Sequence, residues 1–529
     1  MQEFLTTMDK FWLQIGSPSN LMIINGLVEL DENVDFYELL GIIEKSLLTF
    51  DEFQNRIVKI NKNEKKLKWE RDPYFDIRSH VHKLSLPLPS DKSELVELIE
   101  DLGVSLMDET KPLWQIYLIQ GYNNGCVIFF RLHQCLLDRI NHIKVLNSIS
   151  KILSDSFKDK IGDKKISTSF TYLSTFNNLM KKYLNIDNAV KQLINSFKTI
   201  VYKPANVVNA TKKTAYSATD KTLAFTKLFL TSKDSKTVLK GAPGARKHFI
   251  WSKPFPLRDV KKASRITQTD YIDVLISSIT AALRNYLEDK NSINDKTEIK
   301  TLIIKRRRTS GPIIDEENGL NFSFISFPLN IDDHIPRLKE INSRIKKSDN
   351  LFLGLIALKP FNLFPFGISK RISNFLSNRV SAIIADISCP RTIFQLGRKK
   401  IKNIAIWSPS IGKINLGINF VLFGGGICLS ILSDKKILPD AEKILNYFED
   451  DLVNTLNSIN NLPSYKSTIN NEDIQQETAE INVVNVEDNI SNIEEQDHCK
   501  AVTKKGSRCK NKALPGLNYC NIHQKAMNE

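Results

Sequence analysis

The sequence predicts an α/β protein of two domains followed by a small metal-stabilised module. Three observations predict it. The chain has 529 residues, more than one core ordinarily holds. Short apolar runs alternate with segments of helical apolar spacing over residues 1–155, and again over 241–460. The stretches outside these differ in composition: 156–240 is lysine-rich, 461–497 is acidic, and 498–529 gathers cysteines and a histidine.

In the first domain, Leu21 to Leu30 reads as a strand and Tyr37 to Leu48 as a helix. Asp72-Pro73 marks a turn leading into an extended piece that reaches Val81. Leu95 to Leu106 is helical, and Pro112 to Ile119 is strand-like. Asn123-Asn124-Gly125 then predicts a tight hairpin. It leads into the apolar run Cys126 to Phe130, a buried strand, and on to a helical pattern from Ile140 to Leu153.

Residues 156–240 carry 16 lysines against five acids. Within them, residues 171–202 space aromatic and aliphatic residues helically, with Lys181, Lys182, Lys191 and Lys198 interspersed. Two readings stay open: a helical crossover packed on a domain, or an interfacial helix on anionic lipid. Residues 203–236 read as a polar linker.

In the second domain, Thr269 to Tyr286 is a helix. Lys300 to Ile304, Phe322 to Leu329, Val380 to Ile387, Asn403 to Trp407, Gly417 to Phe423 and Ile427 to Leu432 are strands. Pro439 to Asn457 closes it as a helix. The apolar stretch 351–367 is broken by Lys359, Pro360 and Pro365, which suits a membrane surface or an apolar cavity better than a span. Residues 461–497 read as a disordered acidic tether, with nine acids and no Lys or Arg over 471–497.

The formal net charge of +15 is therefore local, and it is read as solvated lysine rather than a nucleic-acid surface. No signal peptide and no apolar run of about 18 residues is visible. Seven cysteines, three of them in the tail, suit a reducing cytoplasm with one metal site.

The candidate chemistry lies in Arg131-Leu132-His133-Gln134-Cys135-Leu136-Leu137-Asp138-Arg139. A histidine at the end of a buried strand has its backbone fixed while the next turn opens toward substrate. Asp138 is placed to cap the helix that follows. His142 lies one helical turn beyond it.

Several segments, in order, carry a resemblance over about 460 of the 529 residues. They are Met8 to Trp12, Ser17 to Met22, Asp72 to Val81, Asp108 to Trp114, Trp251 to Val260, Asp273 to Leu275, Ala281 to Arg284 and Asp434 to Asp440. Together they resemble the bacterial wax ester synthase/diacylglycerol acyltransferase family. The resemblance implies two chloramphenicol-acetyltransferase-like, CoA-dependent acyltransferase domains with a tunnel between them. It implies transfer of a fatty acyl group from acyl-CoA, the co-substrate, to a long-chain alcohol or diacylglycerol. It further implies a place on a peripheral membrane, the inner membrane or lipid inclusions.

The family signature is His-His-x-x-x-Asp-Gly, in which the second histidine is the general base and the aspartate holds the turn. His133 matches the first histidine, Gln134 the second, Asp138 the aspartate and Arg139 the glycine. Gln134 thus occupies the base position, and an amide takes no proton near pH 7. Losing a general base typically costs about 10²–10⁴ in rate. The family's Asn-Asp pair appears as Ile272-Asp273, its Asn-Val-Pro-Gly-Pro turn as 386–390, and its late hairpin as Phe423-Gly424-Gly425-Gly426. The reading therefore leans toward an acyl-CoA-dependent O-acyltransferase. The alternative is a catalytically impaired relative that binds acyl lipid or a membrane surface.

In the tail, Cys499, Cys509, Cys520 and His523 predict a closed tetrahedral Zn2+ site. A module of about 30 residues needs metal to fold. It is similar to Cys3His tails appended to diverse bacterial and phage proteins. Lys305-Arg306-Arg307-Arg308 is a candidate contact for a CoA phosphate or a phospholipid, or else a solvated loop.

Overall fold

The computed structural model describes residues 3–59, 67–139, 234–306, 320–348, 377–389, 395–396 and 399–461. The chain begins with strand β1 (Glu3–Phe4), helix α1 (Thr7–Ile15), β2 (Ile23–Leu30) and α2 (Phe36–Ser46). It continues through β3 (Asn55–Lys59), β4 (Leu67–Arg71), β5 (Val81–Ser85), α3 (Lys92–Gly103), β6 (Trp114–Tyr122), β7 (Gly125–His133) and α4 (Gln134–Arg139). The second half opens with β8 (Lys247–Trp251), β9 (Phe255–Pro256), α5 (Leu257–Thr267), α6 (Tyr271–Asp289), β10 (Lys300–Arg306), β11 (Leu320–Ser326) and α7 (His334–Ser348). It closes with β12 (Ala382–Ser388), β13 (Gln395–Leu396), β14 (Lys399–Trp407), β15 (Leu416–Phe423), β16 (Gly426–Asp434) and α8 (Glu442–Asn460).

Two mixed sheets organise these elements. The first runs β13-β14-β2-β7-β6-β5 and the second β11-β10-β12-β15-β16-β8, with β9 on β16; β1, β4 and β3 form a small third sheet. The expected strands of both halves are present. So is the hairpin: Asn123 and Asn124 take φ of 49° and 62°, the left-handed values a tight primed turn requires. The Gly424-Gly425 turn joins β15 to β16 in the same way, at φ 55° and 77°.

One strand crosses between halves. β14 arises within the second half but pairs with β2 in the first sheet, Trp407 opposite Asn25 and Ala405 opposite Leu27. Its last residue, Trp407, packs edge-on against Phe249 and Trp251 of β8 and donates its indole N–H to the Ile250 carbonyl at 3.1 Å. The exchange makes residues 1–459 one unit. The core that closes around it includes Trp114, Phe129, Phe249 and Trp407.

Residues 140–233, which include the helical pattern from Ile140, His142 and the basic segment 171–202, lie outside the described residues. So do the apolar stretch 351–367, the acidic tether and the tail with Cys499, Cys509, Cys520 and His523. Among the described residues, no cluster of His, Cys, Asp and Glu is arranged to hold a metal ion, and no helix is long and apolar enough to cross a membrane.

Candidate active site

β7 is the strand that delivers the motif. It lies between β2 and β6, antiparallel to both, and its apolar residues are buried or, at Phe130 and Leu132, half-buried. The ladder runs to its last residue, with His133 opposite Ile23. The strand thus extends three residues past the apolar run, with Arg131 fully buried between half-buried Phe130 and Leu132.

The strand-to-helix junction is held by backbone bonds from two distant segments. The His133 N–H donates to the Leu113 carbonyl at 3.0 Å, and the Gln134 N–H donates to the Met22 carbonyl at 2.9 Å. Met22 is fully buried with φ at 55°, a left-handed backbone rarely adopted by a large side chain. The Ser17–Met22 and Asp108–Trp114 segments, which resemble family pieces in the sequence, therefore meet at the motif. Asn20 adds a side-chain bond to the Ser410 carbonyl in the loop after β14.

α4 begins at Gln134, so Asp138 lies inside the helix and not before it. This corrects the expected cap: the turn that Asp138 was to close comes four residues earlier. The side chains of Asp138 and Arg139 lie outside the described part of the structure.

His133 is buried, and burial pulls its imidazole down to about 4. The ring is neutral near pH 7. Its Nδ1 accepts the Cys135 backbone N–H at 3.2 Å, and the Cys135 Sγ lies 2.9 Å from the same nitrogen. With Nδ1 accepting, the neutral ring carries its proton on Nε2, which makes that nitrogen a donor and not an acceptor. A ring in that tautomer does not offer a lone pair at Nε2, which a general base needs. Gln134 is also buried, and its side-chain amide nitrogen has no hydrogen-bond partner among the described residues.

Two residues before His133, on the same face of the strand, the Arg131 guanidinium donates to the Gln115 side-chain oxygen at 2.7 Å and to the Ser105 hydroxyl at 2.9 Å. It also reaches the Ser105 carbonyl. Only a cation inside an apolar strand hinted at this in the sequence. The Cys135 contact and the Met22 clamp had no local signal, because both depend on how the chain folds back.

In the second half, Asp273 is fully buried near the start of α6, where it forms a capping box with Asp270. Burial raises its pKa, partly offset by the Asn342 amide donating at 2.5 Å. Tyr271 donates to Asp386 at the Asn-Val-Pro-Gly-Pro position. Lys305 is buried 3.5 Å from the Asp270 carboxylate, so a solvated loop does not describe it. Arg307 and Arg308 lie outside the described residues.

Comparison with known proteins places this arrangement. Residues 5–275 match the model of the wax ester synthase/diacylglycerol acyltransferase catalytic domain, and residues 317–455 that of the C-terminal domain of the same family. A probable diacylglycerol O-acyltransferase of Mycobacterium tuberculosis is 22% identical over 394 residues, 72% of this chain and 80% of that protein. A putative diacylglycerol O-acyltransferase of the same organism is 20% identical over 483 residues, 87% of this chain and 91% of the relative. Among solved structures, the wax ester synthase/diacylglycerol acyltransferase from Marinobacter aquaeolei aligns with a TM-score of 0.59 at 16% identity, covering 86% of this chain and 99% of that one. The first condensation domain of the calcium-dependent antibiotic synthetase aligns at 0.52 and 10% identity, covering 88% and 97%. The two-domain, chloramphenicol-acetyltransferase-like fold expected from the sequence is the fold observed.

Proposed function

Because the chain belongs to the wax ester synthase/diacylglycerol acyltransferase family, we propose that it transfers a fatty acyl group from acyl-CoA to a long-chain alcohol or a diacylglycerol, in the synthesis of neutral lipid. The site is the junction of β7 and α4, with His133 and Gln134 at its centre and Asp138 in the helix behind them. One observation carries the reading. The segments most like the family do not merely occur in order; two of them supply the carbonyls of Met22 and Leu113 that fix the motif backbone. A backbone held at both residues orients their side chains before substrate arrives.

The reaction forms an ester C–O bond and breaks the thioester C–S bond. The test is release of CoA by the purified full-length protein from palmitoyl-CoA with hexadecanol or diolein. Acceptor-dependent release that falls in His133→Ala is expected. Release equal to that of His133→Ala removes the reading.

Two finer parts of the proposal concern residues outside those described. Cys499, Cys509, Cys520 and His523 hold one structural zinc, and the basic segment 171–202 docks the protein on anionic lipid of a membrane or lipid inclusion. Metal analysis of the full chain giving about one zinc per molecule supports the first. Flotation with anionic liposomes, weakened when Lys181, Lys182, Lys191 and Lys198 are neutralised, supports the second. No metal, or unchanged flotation, removes them singly.

A further inference from the structure

The residue at the base position is not a base, and its neighbour is not poised as one. What the junction offers is hydrogen-bond donors. The Gln134 side-chain nitrogen is buried and has no acceptor among the described residues. A buried donor left unpaired is destabilising, and its persistence calls for a reason. Next to it, the Cys135 N–H occupies His133 Nδ1, which puts the remaining ring proton on Nε2. Both backbones are tied, His133 to Leu113 and Gln134 to Met22, which fixes the points from which the two side chains start.

Resting on the acyltransferase reading above, we propose that Gln134 is a catalytic residue of a different kind: its amide N–H donates to the carbonyl oxygen of the acyl thioester, with the Nε2–H of His133 as second donor. The site then works by stabilising the oxyanion and not by removing the acceptor's proton. When the acceptor hydroxyl attacks, the carbonyl π electrons move onto oxygen and the two N–H groups receive the charge. As the oxyanion collapses, the C–S bond breaks with its electron pair on sulfur. The hydroxyl proton ends on that sulfur, giving ester and free CoA thiol. Atoms and charge balance with no further reactant.

The experiment reads the carbonyl directly. Isotope-edited infrared spectra of [1-13C]palmitoyl-CoA bound to the full-length protein are expected to show the C=O stretch at lower frequency than in buffer. In Gln134→Met, which keeps the length and loses the donor, the stretch is expected to return toward the free value. No lowering in the native protein, no difference in Gln134→Met, or no binding of the thioester overturns the proposal. Turnover gives a second reading. Gln134→Met is expected to lose about 10²–10³-fold in kcat with little change in KM. The native pH–rate profile is expected to be flat from about pH 6 to 9, whereas Gln134→His acquires a limb in the ordinary imidazole range. A native limb near pH 6.5 would mean a working base and would also overturn it. Turnover without a lowered carbonyl stretch sinks this proposal alone; a lowered stretch without ester formation sinks the acyltransferase reading and with it the catalytic role of Gln134, leaving only a thioester contact.

Discussion

Arg131 shows how much the sequence commits to the geometry of one strand end. A fully buried guanidinium is costly unless its donors find acceptors; here the two terminal nitrogens find neutral ones, Gln115 and the hydroxyl and carbonyl of Ser105, while the Nε has none among the described residues. Those partners tie β7 to β6 and to the segment just after α3. Arg131→Met keeps the bulk but leaves the Ser105 carbonyl without its donor and the Gln115 oxygen with only the Tyr117 hydroxyl, at 3.1 Å. It is expected to lower stability by about 1–3 kcal/mol in urea titration; an unchanged midpoint would mean the network is incidental. At this scale the sequence was legible in part. His133 could be placed, because an apolar run followed by a helical pattern marks a strand end. Its tautomer could not, since that depends on the Cys135 N–H turning back onto Nδ1. The unpaired Gln134 amide was equally hidden, because it is a property of surroundings and not of spacing.

The elements were more legible than their partners. Alternating and continuous apolar runs located the main strands, and Asn123-Asn124-Gly125 located the hairpin. The crossing of β14 into the first sheet was not legible, because a strand's periodicity says which face is buried and not which neighbour it takes. The same holds for the contact of α3 with β8, where Gly103 lets the Phe249 ring approach to a distance that any Cβ would block. Beside it His248 faces two acceptors, Glu100 at 2.8 Å through Nδ1 and the Pro439 carbonyl at 3.1 Å through Nε2. Lys435 also reaches Glu100, at 2.9 Å, and Glu442 adds its charge to His248. A ring that donates from both nitrogens is an imidazolium. The bond to Glu100 raises the His248 pKa against the opposing effect of burial. Burial raises Glu100, but the His248 and Lys435 bonds and charges outweigh it and leave Glu100 lowered. The His248 contribution to stability is therefore present below its unfolded value of about 6.5 and lost as pH rises through the raised folded value. That of Glu100 is present above its unfolded value of about 4.3 and lost as pH falls through the lowered one. His248→Gln is expected to cost about 1–2 kcal/mol near pH 6, with the gap to the native protein closing as pH rises past neutrality. A gap that is constant from pH 6 to 9 would contradict an ionised pair joining the halves.

At the scale of the whole molecule, the two halves form one unit over residues 1–459, joined by the exchanged strand, by Trp407 on β8 and by the His248–Glu100 pair. Both halves match the family models, and the fold matches that of the Marinobacter enzyme over 86% of this chain. The departures in the motif itself are Gln134 and Arg139, at the junction of β7 and α4. A chain that had kept only its shape would have no need of two fixed donors there, and a chain that had kept the reaction would. The most direct measurement is therefore the product itself. Purified full-length protein is incubated with palmitoyl-CoA and hexadecanol or diolein, and the extracted lipid is resolved by chromatography. The account predicts wax ester or triacylglycerol in equal amount to the CoA released, lost in His133→Ala. CoA release without ester, or no ester above the His133→Ala protein, would contradict it.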